Sequence, residues 1–353
     1  MKKVAVAMSG GVDSSVSALL LKEKGYDVIG VTLKMTSVAC DTDIQVCCSP
    51  EDVKDAKRVA TYLGIEHYIL DWEEIFKKKV IEYFVREYKK GKTPNPCAVC
   101  NREVKTGLLA KYVRDILGVD YLATGHYLGI DSIYGHKVIK RGKDKNKDQS
   151  YFMALLEKES LNYLLFPLEN MTKEDTRKIA EDFNIPVAKK SESFEICFTA
   201  GKTPGEYLQE TGLLKNKTGD IVLKDGTKVG IHKGLSNYTI GQRRGLGIAW
   251  KEPLYVIDKN PEKNILVVGK KEELFTDYVD TEELNLFVPE DILEKLDISV
   301  QGRYRQKPVN IQKIEKKEKG YRFYFKSPQQ KFASGQVLAI YSDDKLLGGG
   351  IIL

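Results

Sequence analysis

The sequence predicts an α/β protein: a doubly wound parallel sheet, then a small central β-rich domain, then a C-terminal antiparallel β-barrel. Three features carry that expectation. Strand-like and helix-like stretches alternate from Val4 to Thr124. Beyond about residue 200 short apolar strands dominate, such as Tyr255-Val256-Ile257, Ile265-Leu266-Val267-Val268, Tyr321–Phe325 and Val337–Tyr341. Between them lies a glycine-rich stretch containing Gly234, Gly241, Gly245 and Gly247. The expected domain boundaries are 1–201, 202–275 and 276–353.

The opening unit is the most telling. The apolar run Val4-Ala5-Val6-Ala7-Met8 breaks into Ser9-Gly10-Gly11-Val12-Asp13-Ser14-Ser15 and becomes helix-like through Leu21. A buried strand feeding a glycine turn and a helix N-terminus makes an anion site, because backbone N–H groups converge there and the helix dipole favours negative charge. Gly10 and Gly11 allow close backbone approach, and Ser9, Ser14 and Ser15 add hydroxyl donors. The Gly-Lys-Ser/Thr ending of the common nucleoside-triphosphate loop is missing, and so is the dinucleotide spacing Gly-x-Gly-x-x-Gly.

Val28–Leu33 reads as a second strand. Ser49-Pro50-Glu51-Asp52 opens a helix with Val53, Ala56, Val59, Ala60 and Leu63 on its apolar face and Gly64 beyond it. His67–Leu70 is a third strand, residues 73–88 and 101–117 are helical, and Tyr121–Thr124 is the next strand, ending at Gly125-His126. Ligands of open α/β sheets bind beyond the carboxyl ends of the strands. That rule gathers the Ser9–Ser15 turn, Met35 and Gly125-His126 around one crevice, where Met35 is either an adenine-pocket wall or an ordinary core methionine. Thr172-Lys173-Glu174-Asp175 opens a further helix ending near Phe183.

The chain has 353 residues, 30% of them charged, and a net charge of +6, a lean toward a polyanionic partner that balanced surface charge would also produce. The basic run Lys137, Lys140, Arg141, Lys143, Lys145, Lys147 reads as a solvated loop. No apolar stretch approaches the roughly 20 residues of a membrane span, so no membrane partner and a cytoplasmic location are expected. The six cysteines would then be reduced thiols, metal ligands or reactive groups.

Cys97 and Cys100 form a CxxC behind Pro94 and Pro96, in a loop stiffened by fixed φ angles, with Cys100 and Asn101 at the start of the next helix. A thiol there gains thiolate character from the helix dipole. A redox pair and a zinc site with Cys47 and Cys48 are the other readings of this CxxC, although adjacent cysteines are an awkward zinc spacing. Cys40, Cys47 and Cys48 read otherwise as small residues. Cys197, in Ser191–Phe198, lies between apolar neighbours, the usual setting of a buried filler.

Ser-Gly-Gly-x-Asp-Ser resembles the pyrophosphate loop of N-type ATP pyrophosphatases, the adenine nucleotide alpha hydrolase-like fold. The resemblance then extends almost end to end, to the tRNA-specific 2-thiouridylases. It runs through Asn95-Pro96-x-x-x-Cys100-Asn101, Ala123–Tyr127, Asp148–Phe152, Ile196-Cys197-Phe198, Tyr238–Gly247, Arg303–Gln306 and Gly348-Gly349-Gly350. It implies ATP-dependent replacement of O2 of the wobble uridine by sulfur, with ATP and Mg2+ as cofactors. ATP would meet Ala7, Met8, Ser9, Gly10, Gly11, Val12, Asp13, Ser14, Met35 and Gly125. Adenylating a poorly electrophilic carbonyl makes AMP the leaving group. Sulfur would arrive as a persulfide on Cys197 from a cysteine desulfurase or a relay carrier, and Cys100 would be its partner nucleophile.

The family implies tRNA contacts at Asn95, Pro96, Cys97, His126, Lys147, Asp148, Gln149, Arg303, Tyr304, Arg305 and Gln336, with Tyr238, Arg243 and Arg244 as further backbone contacts. Beside that reading the Lys137–Lys147 run moves toward phosphate contact. Many members carry aspartate, a proposed acid/base, where this chain has Cys97. A thiol there puts that role in doubt and leaves two alternatives open: persulfide and disulfide chemistry, or a 4Fe–4S cluster on Cys97, Cys100 and Cys197. Two other functions compete: an N-type ATP pyrophosphatase acting on a non-tRNA substrate, and a non-enzymatic RNA-binding sensor of iron or redox state.

Overall fold

The computed structural model describes residues 1–36, 50–191 and 196–353. Cys40, Cys47, Cys48 and Ser49, named above, lie outside them.

Three sheets organise the described residues. The first is parallel and runs β3-β2-β1-β4-β7, with β1 Lys3–Ala7, β2 Asp27–Lys34, β3 Glu66–Asp71, β4 Tyr121–Thr124 and β7 Leu164–Leu165. Alternate residues of β1 enter different apolar cores, Val4 and Val6 one and Ala5 the other, so both faces are covered by helices. Strand order reverses at β1, which places the switch point between β1 and β4, where helix α1 (Val12–Glu23) begins. Helix α2 (Pro50–Leu63) packs beside it, burying Ala56, Val59, Ala60 and Leu63 as its periodicity predicts.

Helix starts differ from expectation in one instructive place. The helix expected from residue 101 begins at Pro96, because the Asn95 side chain accepts from Ala98 N at 3.1 Å and proline supplies the first helical φ. It continues to Asp115 through a wide π segment, Asn101–Leu108. Gly107 belongs to that segment: a Cβ there would lie 2.3 Å from the Arg102 carbonyl oxygen. Cys97, rather than Cys100, therefore occupies the first turn.

The basic run is not a loop throughout. β5 (Leu128–Ile133) and β6 (His136–Arg141) form a hairpin that places Lys137, Lys140 and Arg141 on a strand. β6 joins the C-terminal sheet by pairing with β18 (Lys345–Ile351). That sheet is antiparallel and runs β12-β16-β15-β14-β17-β18-β6-β5. Its strands are β12 Phe275–Thr281, β13 Asn285–Leu286 (paired with β18), β14 Ser299–Gln301, β15 Val309–Lys316, β16 Tyr321–Gln330 and β17 Val337–Ser342. A bridge between Thr281 and Ile352 brings its end back to β12, giving the barrel-like closure. The central sheet runs β10-β11-β8-β9: β8 Gly219–Val222, β9 Lys228–His232, β10 Tyr255–Asn260 and β11 Ile265–Gly269.

Candidate active site

The glycine turn sits at the switch point and is built to stay open. Gly11 is the N-cap of α1 and offers no side-chain acceptor, so the first N–H groups of the helix keep their donors for a ligand. Gly10 holds φ at +71°, and a Cβ there would lie 2.2 Å from the Asp52 carbonyl oxygen. Its left-handed conformation and the close approach of α2 both require glycine. The Ser14 hydroxyl accepts from Ser9 N at 3.2 Å and donates to Gly11 O, bracing the turn. Ser15, expected to be a ligand donor, is fully buried and gives its hydroxyl to Gly11 O at 2.8 Å, so it serves the helix.

Sequence reasoning missed the groups that lock this turn. Asp13 Oδ1 accepts from Lys173 Nζ at 2.6 Å and from Tyr127 Oη at 2.8 Å. Lys190 Nζ bridges Asp52 at 2.6 Å, Asp55 at 2.7 Å and the Gly10 carbonyl at 3.2 Å. Burial alone would lower the Lys190 pKa, but the two carboxylates outweigh it and hold the ammonium above its ordinary value. Tyr127 stood inside a site motif and Lys173 inside a helix-capping motif, but nothing local said that Lys173 and Lys190 reach the turn from across the fold. Met35 is buried in the same core as Ala5 and Cys100. Gly125 presses on the α1 start, where a Cβ would meet the Ser14 nitrogen at 2.8 Å.

One short backbone stretch links this turn to the next group of predicted residues. His126 follows Gly125, its Nδ1 lying 2.7 Å from Thr124 Oγ1. Burial, with the Lys105 charge behind it, holds this imidazole well below the usual histidine range and neutral at pH 7. Tyr127 N then donates to Gln149 Oε1, and Gln149 N to Tyr127 O, both at 3.2 Å.

Asp148, expected at the RNA surface, is buried instead. Its carboxylate accepts from Arg141 Nη1 at 2.6 Å, Ser150 Oγ at 2.9 Å, and the Gly142 and Ser150 amides at 3.2 Å. Buried carboxylates need such partners, and here they fix the backbone that carries half-buried Lys147 and Gln149.

The remaining predicted contacts meet around Tyr151. Its hydroxyl donates to Val337 O at 3.0 Å and reaches Gln336 Oε1 at 3.5 Å. Gln336 Nε2 donates to Thr93 O at 2.7 Å. Tyr304 packs on Phe152 with ring centroids 4.6 Å apart, and Arg305, at φ +62°, donates to Asn146 O at 3.3 Å. Arg303 and Arg305 are exposed.

Cys100 is buried, whereas Cys97 and Cys197 are half-buried. Phe198 packs edge-on against Phe84 at 5.1 Å, Phe76 at 5.9 Å and Tyr207 at 5.3 Å. Those phenylalanines belong to residues 73–89, which pack on the Pro96–Cys100 turn, so Cys197 and Cys100 border one apolar core. Tyr207 is raised above its ordinary pKa by burial first and by the Cys197 charge second. Among the described residues no set of three or more His, Cys, Asp or Glu is gathered to hold a metal. The 4Fe–4S alternative on Cys97, Cys100 and Cys197 is therefore not shown among them. Zinc ligation through Cys47 and Cys48 falls outside the described residues. The CxxC follows a helix and loop, unlike the strand-led redox motif.

Residues 2–201 match the family described as the tRNA methyl transferase HUP domain, 206–270 its PRC-barrel domain, and 276–352 the aminomethyltransferase beta-barrel domain. The chain is 65% identical over 353 residues to the tRNA-specific 2-thiouridylase MnmA of Persephonella marina, covering 99% of this chain and 100% of that one. The chain belongs to the tRNA-specific 2-thiouridylase family. Another 2-thiouridylase, from Aquifex aeolicus, is 53% identical, with 99% and 98% of the two chains covered. That of Hydrogenobaculum sp. is 50% identical, with 99% of each covered. No described helix of this 2-thiouridylase family member is long and apolar enough to cross a membrane.

Proposed function

We propose that this protein is a tRNA-uridine 2-sulfurtransferase that adenylates O2 of the wobble uridine and replaces it with sulfur. The observation that carries the reading is the Gly125–Tyr127 backbone. It presses on the nucleotide turn at Gly125, anchors Asp13 through the Tyr127 hydroxyl, and pairs with Gln149 of the RNA-facing segment. ATP and a base at the same crevice therefore need no domain movement to meet.

The α1 N-terminus receives the phosphates of ATP, with Mg2+ arriving on the triphosphate as part of the substrate. Attack of uridine O2 on the α-phosphorus releases pyrophosphate. The terminal sulfur of a Cys197 persulfide then adds to C2, and AMP leaves with the former O2. Cys100 thiolate attacks Cys197 Sγ, closing a Cys100–Cys197 disulfide and freeing the C2 thiocarbonyl. A dithiol reductant returns both cysteines to thiols, and a desulfurase or relay protein reloads the persulfide. Neutral His126 donates or accepts a hydrogen bond at the extracted base without adding charge. Cys97 stands where many relatives place a carboxylate, so that carboxylate's acid/base work falls to other groups.

Cys100→Ser tests the order of steps. It should keep tRNA-dependent pyrophosphate release within about threefold of wild type while losing more than about 99% of 2-thiouridine, as expected when a nucleophile is removed. Full product formation by the variant would favour a pyrophosphatase that does not use these thiols. A wild-type protein showing no tRNA-dependent pyrophosphate release would favour a non-enzymatic RNA-binding role.

A further inference from the structure

The central domain carries a loop, residues 239–254, whose exposed groups the chemistry above does not use. Its ends are fixed. Gly241 N donates to Val256 O at 2.8 Å and Val256 N to Gln242 O at 2.9 Å. Leu246 and Leu254 are buried in the central core, with Ile248 packed against it. Gly241, Gly245 and Gly247 all hold positive φ, which turns the backbone so that the side chains between these anchors face outward.

Those side chains are Arg243, Arg244 and Lys251, all exposed, and Trp250, 42% exposed. Among the described residues none of the three cations has a carboxylate partner; the neighbouring Glu252 is taken by Lys270 at 2.8 Å. The C-terminal barrel shows the opposite pattern, with Lys316 paired to Glu290, Lys317 to Glu315 and Arg322 to Asp280. The loop also starts at the site. Lys259 Nζ donates to Tyr238 O at 3.1 Å and to Thr93 Oγ1 at 3.4 Å, tying the residue just before the loop to the segment leading into Asn95.

A single exposed tryptophan is ordinary, and so is a single exposed arginine. Unpaired cations and an exposed indole on one anchored loop offer two kinds of surface: charge for phosphates and a π-face for a base. We propose that Trp250 is a stacking platform for an unpaired nucleotide of the substrate RNA, beside the phosphate contacts that the family resemblance already implies for Arg243 and Arg244. This rests on the functional reading above and adds a contact whose chemistry is separable from sulfur transfer.

The test is the affinity of the full chain for an unmodified tRNA transcript across a salt series. Trp250→Ala should weaken binding roughly five- to hundredfold at every salt concentration, the range seen when a stacked base loses its platform. The slope of log affinity against log salt should not change, because no charge is lost. Trp250→Phe should restore most of the affinity. Arg243→Ala with Arg244→Ala should instead flatten the slope by roughly 1.5, or about 0.7–0.9 per phosphate contact. An unchanged thermal midpoint for Trp250→Ala confirms that the fold is intact.

Wild-type affinity in Trp250→Ala overturns the proposal, and so does a loss accompanied by a flattened slope. A defect seen only when a protein sulfur donor is present assigns the indole to a protein surface and overturns it as well. A wild-type chain that binds the transcript yet transfers no sulfur defeats the functional reading alone. A wild-type chain that thiolates while Trp250→Ala binds equally well defeats this inference alone.

Discussion

Two helix starts, that of α1 and that of the Pro96–Cys100 turn, are built in opposite ways. α1 begins on Gly11, which has no side chain to cap it, while the Pro96–Cys100 turn begins on Asn95, whose carbonyl oxygen takes the Ala98 amide at 3.1 Å. The first start leaves its donors unsatisfied and its dipole uncovered, the condition for holding a polyphosphate. The second satisfies one of its own donors and presents thiols instead. An N-terminus that binds an anion and one that presents a nucleophile thus differ in their caps more than in their helices. The anchors differ as well: Asp13 is locked by Lys173 and Tyr127, whereas the cysteine turn hangs from Gln336 and Lys259 across domain borders.

The largest expected effect comes from closing the open start. Gly10→Ala must place a Cβ at φ +71° and 2.2 Å from the Asp52 carbonyl oxygen. Strain of this kind costs about 1–3 kcal/mol, and displacing α2 from the turn should remove more than about 99% of pyrophosphate release. Near-normal release by this variant would show that the close approach is incidental.

Exchanging the caps gives a sharper, smaller contrast. Gly11→Asp can adopt its φ of −96° and should cap α1, raising stability by up to about 1 kcal/mol while increasing the KM for ATP at least about tenfold. Asn95→Ala should cost about 1 kcal/mol in denaturant unfolding and leave ATP affinity unchanged. Equal effects of the two changes on ATP affinity would end the distinction drawn here.

The smallest effect concerns pH. Burial lowers Lys259 from its ordinary value to about 8, with Asp258 opposing. Between pH 8 and about 10.5 the unfolded chain binds a proton there that the folded chain does not, so stability should rise with pH in that window. Lys259→Met should remove that rise, as read from unfolding free energies at pH 7.5, 9 and 10. A rise that persists in the variant would assign it to another group.

Much of this site was legible in the chain. Val4–Met8 followed by two glycines states a strand, a turn and a helix within a few residues, and local chemistry is enough to read it. The capping box at Thr172 was equally plain, although Asp175 completes it. The start at Asn95 was read late because the prolines around it suggested a loop. The same proline that stiffens a loop also suits a first helical position, and only the Asn95 bond separates the two. The Lys137–Lys147 run misled for a different reason: charge alone does not say whether a partner strand is waiting, and β18 lies more than two hundred residues further along the chain.

Motif positions and the order of elements follow from local rules: steric limits on φ, hydrophobic periodicity and the donor needs of a helix end. Such information lies within a few neighbouring residues, so a linear reading recovers it. Holding Arg141 on Gln301, bringing Lys173 and Lys190 to the glycine turn, and leaving Arg243 and Arg244 unpaired all depend on groups far apart in the chain. Those choices are made by packing, because a charge gains or loses its partner only when distant segments meet.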